Sequence, residues 1–168
     1  MQKILTATLA ATALAAGMAN AATTPASFQV TATVLSKCSA TAATLPFGNY
    51  TPGAGALAVN TAISVRCTKN TPFTISLNGG STTGGTVGQR LMASGTNTLQ
   101  YNLYKDAAFT TIFGDGTLTS ATSAGTGNGV AVANAVSTTV YGSLPDNATN
   151  QSAVPGAYSD TISVTVSY

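Results

Sequence analysis

The chain has 168 residues, 44% hydrophobic and only 6% charged, with six basic residues, four acidic ones and no His. A net charge of +2 gives no electrostatic footprint for nucleic acid or anionic lipid. The lack of His removes the commonest general base and the commonest metal ligand, and the length suits a single domain with one core.

Lys3, the apolar run from Ile4 to Met18 and the triplet Ala19-Asn20-Ala21 have the form of a secretory signal peptide cleaved after Ala21. That run is too short to anchor in a bilayer, and nothing later approaches the roughly 20 uninterrupted apolar residues of a transmembrane helix. The expected organisation is therefore a signal peptide over 1–21, an N-terminal extension over 22–34 and one β domain over 35–168, in an exported chain. Removing Lys3 leaves a net charge of +1. A surface of Thr, Ser, Asn, Gly and Ala this poor in charge suits a protein that packs against copies of itself or sits in an extracellular layer.

After the small and polar leader Ala22–Ala26, Phe28, Val30, Ala32 and Val34 alternate with Gln29, Thr31 and Thr33, the period of two that puts one apolar face on a β-strand. Cys38 and Cys67 follow, the only cysteines, and an even count in an exported chain reads as a disulfide. Ile63 and Val65 lead into Cys67 with the same alternation, as do Phe73, Ile75 and Leu77 before the turn residues Asn78-Gly79-Gly80. The low-complexity stretch Gly79–Gly88 reads as a mobile loop. Leu99 to Tyr104, Phe109 to Phe113, the short run Val130 to Val132, Val136 to Tyr141 and Ile162 to Tyr168 complete about eight strands. Short strands separated by Gly, Asn, Ser and Pro clusters predict an all-β sandwich, and Gly125, Gly127 and Gly129 argue against a helix in the Ala-rich stretch 119–135.

A search for chemistry returns almost nothing, so an enzyme is not expected, nor any cofactor or metal. Asp106, Asp115, Asp146 and Asp160 are the only acids, each beside a turn or strand end. Asp106 and Asp115 together make a poor calcium cage, which needs roughly six to eight oxygens. G-x-S-x-G is absent, and Gly79–Gly85 lacks the G-K-[ST] ending of a phosphate cradle. The triplets at Asn49, Asn147 and Asn150 match the glycosylation pattern by chance in a chain this rich in Asn and Thr. The strand spacing of Tyr101, Tyr104, Tyr141, Tyr158 and Tyr168 favours core and cross-strand packing over a carbohydrate-binding strip.

Leu99-Gln100-Tyr101-Asn102-Leu103-Tyr104-Lys105-Asp106 with Phe113-Gly114-Asp115-Gly116 resembles the central motif of the spore coat protein U family. Val140-Tyr141-Gly142-Ser143-Leu144-Pro145 and Pro155 to Tyr168 resemble its C-terminal signature, and Cys38, Phe47-Gly48-Asn49-Tyr50 and Cys67 its N-terminal half. Phe113 stands where the family often has Trp, and the spacing between Pro145 and Pro155 departs slightly from the usual. The motif aromatics Tyr101, Tyr104, Phe113, Tyr141, Tyr158 and Tyr168 are thereby expected in the core.

The family includes archaic, Csu-type chaperone-usher pilins and a myxobacterial spore coat protein. The pilin resemblance implies an immunoglobulin-like sandwich that lacks one strand and is completed by a donor strand from another subunit. It also implies partners: identical or related pilins, a periplasmic chaperone and an outer-membrane usher, with no nucleic acid and no membrane insertion. The expected role is a subunit of an extracellular fimbrium that passes through the periplasm and serves cell adhesion and biofilm formation. Phe28, Val30, Ala32 and Val34 then form the donated strand. Two readings of those residues stay open at this point, donation to a neighbour or the first strand of a self-complete secreted coat or envelope protein.

Overall fold

The computed structural model describes residues 21–168, so the signal-peptide reading falls, but for Ala21, outside the described residues. The chain divides into two units at Thr33. Within the first, residues 21–33 form neither strand nor helix, and every side chain is exposed.

The second unit contains eight strands: β1 (Cys38–Ala42), β2 (Leu57–Cys67), β3 (Pro72–Leu77), β4 (Arg90–Ser94), β5 (Asn97–Tyr104), β6 (Ser123–Thr126), β7 (Val136–Leu144) and β8 (Val164–Ser167). A five-stranded sheet in the order β1-β2-β7-β5-β4 packs against a three-stranded sheet in the order β6-β3-β8. All of these pairings are antiparallel, and the architecture is an immunoglobulin-like sandwich. Its core follows the period-two pattern. Ile63, Val65 and Cys67 from β2, Phe73, Ile75 and Leu77 from β3, Leu99, Tyr101 and Leu103 from β5, and Val140 and Leu144 from β7 are all buried between the sheets.

Cys38 lies directly opposite Cys67 across β1 and β2. The Thr68 amide donates to the Lys37 carbonyl at 2.9 Å, so the cysteines occupy a non-hydrogen-bonded pair, where side chains approach most closely. Their Cα atoms are 4.0 Å apart and the disulfide is formed.

Five of the expected strands are present, and three are not. The alternating residues 28–34 form no strand. Phe109 to Phe113 is a turn with isolated bridges at Ile112 and Phe113: the Phe109 amide donates to the Asp106 carbonyl, and Phe109 takes φ 55°. Val130 to Val132 is exposed and runs into a single 3₁₀ turn over Val132–Asn134. The strands β1, β4 and β6 carry little apolar alternation. In β6, Gly125 sits where any Cβ would collide with the Phe73 ring, so close packing rather than propensity places that strand.

The stretch Gly79–Gly88 also differs from expectation, because it is tied down at Ser81 and Thr82 and buries Val87. A short helix α1 (Ala148–Gln151) occupies the connection after β7, capped by the Asn147 side chain, which accepts from the Asn150 amide. Asn150 is fully buried. Its side chain accepts from the Gln100 amide and donates to the Gln100 and Pro145 carbonyls, replacing a strand partner for β5.

The disulfide closes a loop of 29 residues between the outermost strand of the larger sheet and its neighbour. Replacing both cysteines by alanine is expected to lower the unfolding free energy by about 3.5 kcal/mol in a urea titration.

Candidate functional site

β8 is an edge strand, because β3 is its only partner among the described residues. The residues that lead into it turn alternate backbone groups toward neighbours. The amides of Ser159, Thr161 and Ser163 donate to the Ala93 carbonyl at 3.0 Å, Ser81 Oγ at 3.2 Å and Asn78 Oδ1 at 2.9 Å. The Ser163 carbonyl accepts from the Asn78 amide at 3.2 Å. Successive backbone groups of an extended chain point to opposite sides, so those of Ile162, Val164 and Val166 face the bare edge. Their side chains, with Tyr158, turn inward yet are only half-buried.

Beside this edge runs a groove of about 1270 Å³. Its floor is the upper core, including Ile63, Leu77, Tyr101 and Val140, with one wall formed by residues 42–50 and the other by residues 153–162 and Val164. A strand slot with an apolar floor and one unpaired rim accepts an extended peptide. Hydrogen bonds go to the rim, and alternate side chains enter the slot.

The second wall is fixed by Asp160. Its Oδ1 accepts from the amides of Ser81 (2.8 Å) and Thr82 (3.1 Å) and from both hydroxyls, and its Oδ2 accepts from the Tyr101 hydroxyl at 2.6 Å. Burial pushes the Asp160 carboxyl up, but the Tyr101 hydroxyl and the Ser81 donors outweigh it and hold the pKa below the ordinary value. The same contact raises the Tyr101 phenol, burial being the larger cause.

Beyond Tyr101, Arg90 is fully buried between the sheets. It donates twice to the Asn78 carbonyl, and to the Phe113 carbonyl and Asn102 Oδ1, at 2.6–3.0 Å. Its five donors in a fixed fork suit a site built of carbonyl oxygens, and burial lowers its pKa.

The first wall lies on β7 at Gly142, where a Cβ would come within 2.8 Å of Leu45 Cδ2 and 3.1 Å of Phe47 Cζ. Phe47 meets Tyr101 edge to face at 5.9 Å. The wall is latched by Asp146, which accepts from the Tyr50 hydroxyl at 2.6 Å and from the amides of Gly53 and Gly55. Those donors, the Tyr50 hydroxyl first, hold the Asp146 carboxyl down, while burial and Asp146 push the Tyr50 phenol up to about 12.

The aromatics singled out in the sequence disperse. Tyr101 and Tyr158 line the groove, and Phe113 is buried beside Arg90. Tyr104 and Tyr141 are cross-strand neighbours on the outer face of the larger sheet, half-buried, with Phe109 edge-on to Tyr104. Tyr168, expected in the core, is 61% exposed at the end of β8. Asp106 and Asp115 spend their oxygens on Thr110, Thr111 and Thr117 within their own turns, and no cluster of metal-ligating side chains occurs among the described residues. Phe28, Val30, Ala32 and Val34 are exposed, the three larger ones by 81–87%. Arg90 and Asp160 escaped the sequence reading. Asp160 carried a signal: it interrupts the inward row Tyr158, Ile162, Val164 with a carboxylate, which needs donors there. Arg90 carried none.

The Spore Coat Protein U domain model matches residues 24–165. A chain of the CsuC–CsuE chaperone–tip adhesion subunit pre-assembly complex, from the archaic chaperone-usher Csu pili of Acinetobacter baumannii, is similar in fold, with a TM-score of 0.55 at 24% identity. The match covers 81% of this chain and 41% of that one, so this chain spans less than half the length of its solved relative. No curated protein matches the sequence.

All four acids of the chain have pKa values held below the ordinary carboxyl value. Folding then gains stability above pH 3.8 that is lost as pH falls through the lowered values. The raised Tyr50 and Tyr101 add a second loss above pH 10. Melting temperature is expected to be flat between about pH 5 and 9 and to drop on both sides. Asp160→Asn should lower the melting temperature at pH 7 and shrink the acid-side drop.

Proposed function

The chain belongs to the Spore Coat Protein U domain family, and from that premise we propose that it is a structural subunit of an extracellular fimbrium. It is assembled by the chaperone-usher route through donor-strand complementation. The observation that carries this reading is the groove beside the bare edge of β8, found in a chain whose leading segment displays four alternating apolar side chains to solvent. An unpaired strand rim above an apolar floor does not persist in water, so a second strand is required to fill it. Before assembly a periplasmic chaperone covers the groove, an outer-membrane usher passes the subunit on, and in the fibre the leading segment of another subunit takes the place. Fibres of this kind support attachment to surfaces and biofilm formation.

Burial favours insertion of the segment. Burying Phe28, Val30 and Val34 with Ala32 contributes roughly 5 to 9 kcal/mol before entropy losses, and the rim of β8 adds backbone hydrogen bonds. The role is structural, and no catalytic step is proposed. The rival reading, a self-complete coat or envelope protein, needs residues 28–34 as a strand of their own sandwich.

Val30→Asp or Val34→Asp places a carboxylate where the groove floor is apolar, at a cost of roughly 3 kcal/mol or more, about 100-fold in assembly. Fibres seen by electron microscopy should disappear while chaperone complexes still form. Fibres of normal length in both variants would contradict the assignment. A chain shortened to begin after Val34 should likewise depend on a chaperone to stay soluble, and a soluble monomer melting cooperatively on its own would count against the reading.

A further inference from the structure

Antiparallel register carries the β3–β8 ladder one step past its last pair, Leu77 with Val164, and sets Asn78 opposite Ser163. A hydrogen-bonded pair at that place exchanges two backbone bonds, and here only one is made, from the Asn78 amide to the Ser163 carbonyl at 3.2 Å. The return bond goes to a different atom. The Ser163 amide donates to Asn78 Oδ1 at 2.9 Å, while the Asn78 carbonyl is occupied by Arg90, whose Nε and Nη2 donate to it at 3.0 and 2.8 Å. Arg90 is fully buried and its other bonds go to the Val87 and Phe113 carbonyls and Asn102 Oδ1, so releasing the Asn78 oxygen would leave a buried cation short of acceptors.

Asn78 is also where β3 parts from the rim. A Cβ on Gly79 would come within 2.9 Å of the Thr86 backbone, Gly80 takes φ 96°, and the Gly80 amide donates to the same Asn78 Oδ1 at 3.2 Å. The rim runs on toward the other sheet, where Ser159 and Ala93 of β4 exchange both backbone bonds, at 2.9 and 3.0 Å. Ile162 and Val164, on either side of Ser163, line the groove. Because successive backbone groups of an extended chain point to opposite sides, holding Ser163 on the inner side sets how Ile162 and Val164 face the bare edge.

We propose that Asn78 is a positioning residue of the strand-accepting rim: its side-chain oxygen stands in for its own backbone carbonyl, which Arg90 holds, and so keeps Ser163 in place while Ile162 and Val164 offer their backbone to an incoming strand. The inference rests on the strand-donation reading and adds which side chain sets the register of the acceptor. Only an oxygen at the Asn78 Oδ1 position is required, so an isosteric acid serves and a side chain without an acceptor does not.

The test uses the full chain with Val30→Asp and Val34→Asp, whose own segment no longer competes, loaded with a labelled peptide of residues 26–36. Release is followed by anisotropy after a chase with unlabelled peptide, and amide exchange is read on the same complexes. Asn78→Ala in this parent removes two hydrogen bonds and is expected to speed release roughly tenfold. It should also cost Ile162, Ser163 and Val164 protection while Val65 and Ile75 keep theirs, a local loss that general destabilisation would not give. Asn78→Asp is expected to release the peptide at the parent's rate. Unchanged release from Asn78→Ala, or equally fast release from both variants, would overturn the role of Asn78 and leave strand acceptance standing. Where Asn78→Ala does not fold, the parent decides: its Ser163 amide is expected to exchange slowly before loading, and those of Ile162 and Val164 to slow only on loading. A Ser163 amide that exchanges as fast as Ile162 in the unloaded parent would overturn the proposal. A parent that takes up no peptide, or holds one carrying Val30→Asp and Val34→Asp as long as the natural one, would instead overturn strand acceptance and the role of Asn78 with it.

Discussion

A β-strand paired along one side only, above a floor of aliphatic and aromatic carbon, leaves two debts to solvent at once: backbone groups without strand partners and apolar surface without cover. At β8 both coincide. Ile162, Val164 and Val166 present their backbone to the bare side, and the side chains of Ile162 and Val164 line the groove while staying only half-buried. The rest of the upper sandwich is arranged around keeping that slot in shape. Asp160 ties one wall to the 81–82 loop and to Tyr101 in the floor, and the Tyr50–Asp146 pair holds the other wall to the connection after β7. A slot whose walls are already hydrogen-bonded loses less freedom when a strand enters it, which leaves more of the burial energy for binding.

The fold tolerates such an opening because its stability is unevenly placed. The lower half of the core around Val65, Ile75, Phe73 and Phe113 is closed to within 3% exposure, and the disulfide clamps the strand that borders it. Arg90 does for polar groups what those residues do for apolar ones. It brings together carbonyls from the end of β3, the 87–88 turn and Phe113 that would otherwise be buried without donors. One half of the sandwich is thus a closed core, and the other half carries an open groove.

Legibility in the sequence followed the physics of each element. Strands β2, β3, β5 and β7 bury one face and β8 half-buries one, and this writes an alternation that can be read directly. The strands β1, β4 and β6 bury little apolar surface of their own. They are placed by the disulfide, by pairing with β5 and by the Gly125–Phe73 contact, none of which leaves a periodic trace. Phe109 to Phe113 has the composition of a strand, yet the Asp106 carboxylate bonding Thr110 and Thr111 curls it into a turn, a local competition that propensity ignores. At the site, the alternation at Phe28, Val30, Ala32 and Val34 was visible, but the groove was not. A groove is an absence of packing between segments distant in the chain, and its wall residues Leu45, Phe47 and Asp160 become neighbours only through the topology. Tyr168 belongs to the same motif as Tyr158 but lies past the last pair of β8 with β3, where no core remains to cover it.

Amide hydrogen exchange in isolated subunits and in assembled fibres tests the central claim most directly. The account predicts that in the fibre the amides of Ile162, Val164 and Val166 and those of Phe28 to Val34 gain protection together, while Val65 and Ile75 change little. Fibres in which residues 28–34 exchange as fast as in the isolated chain would contradict it.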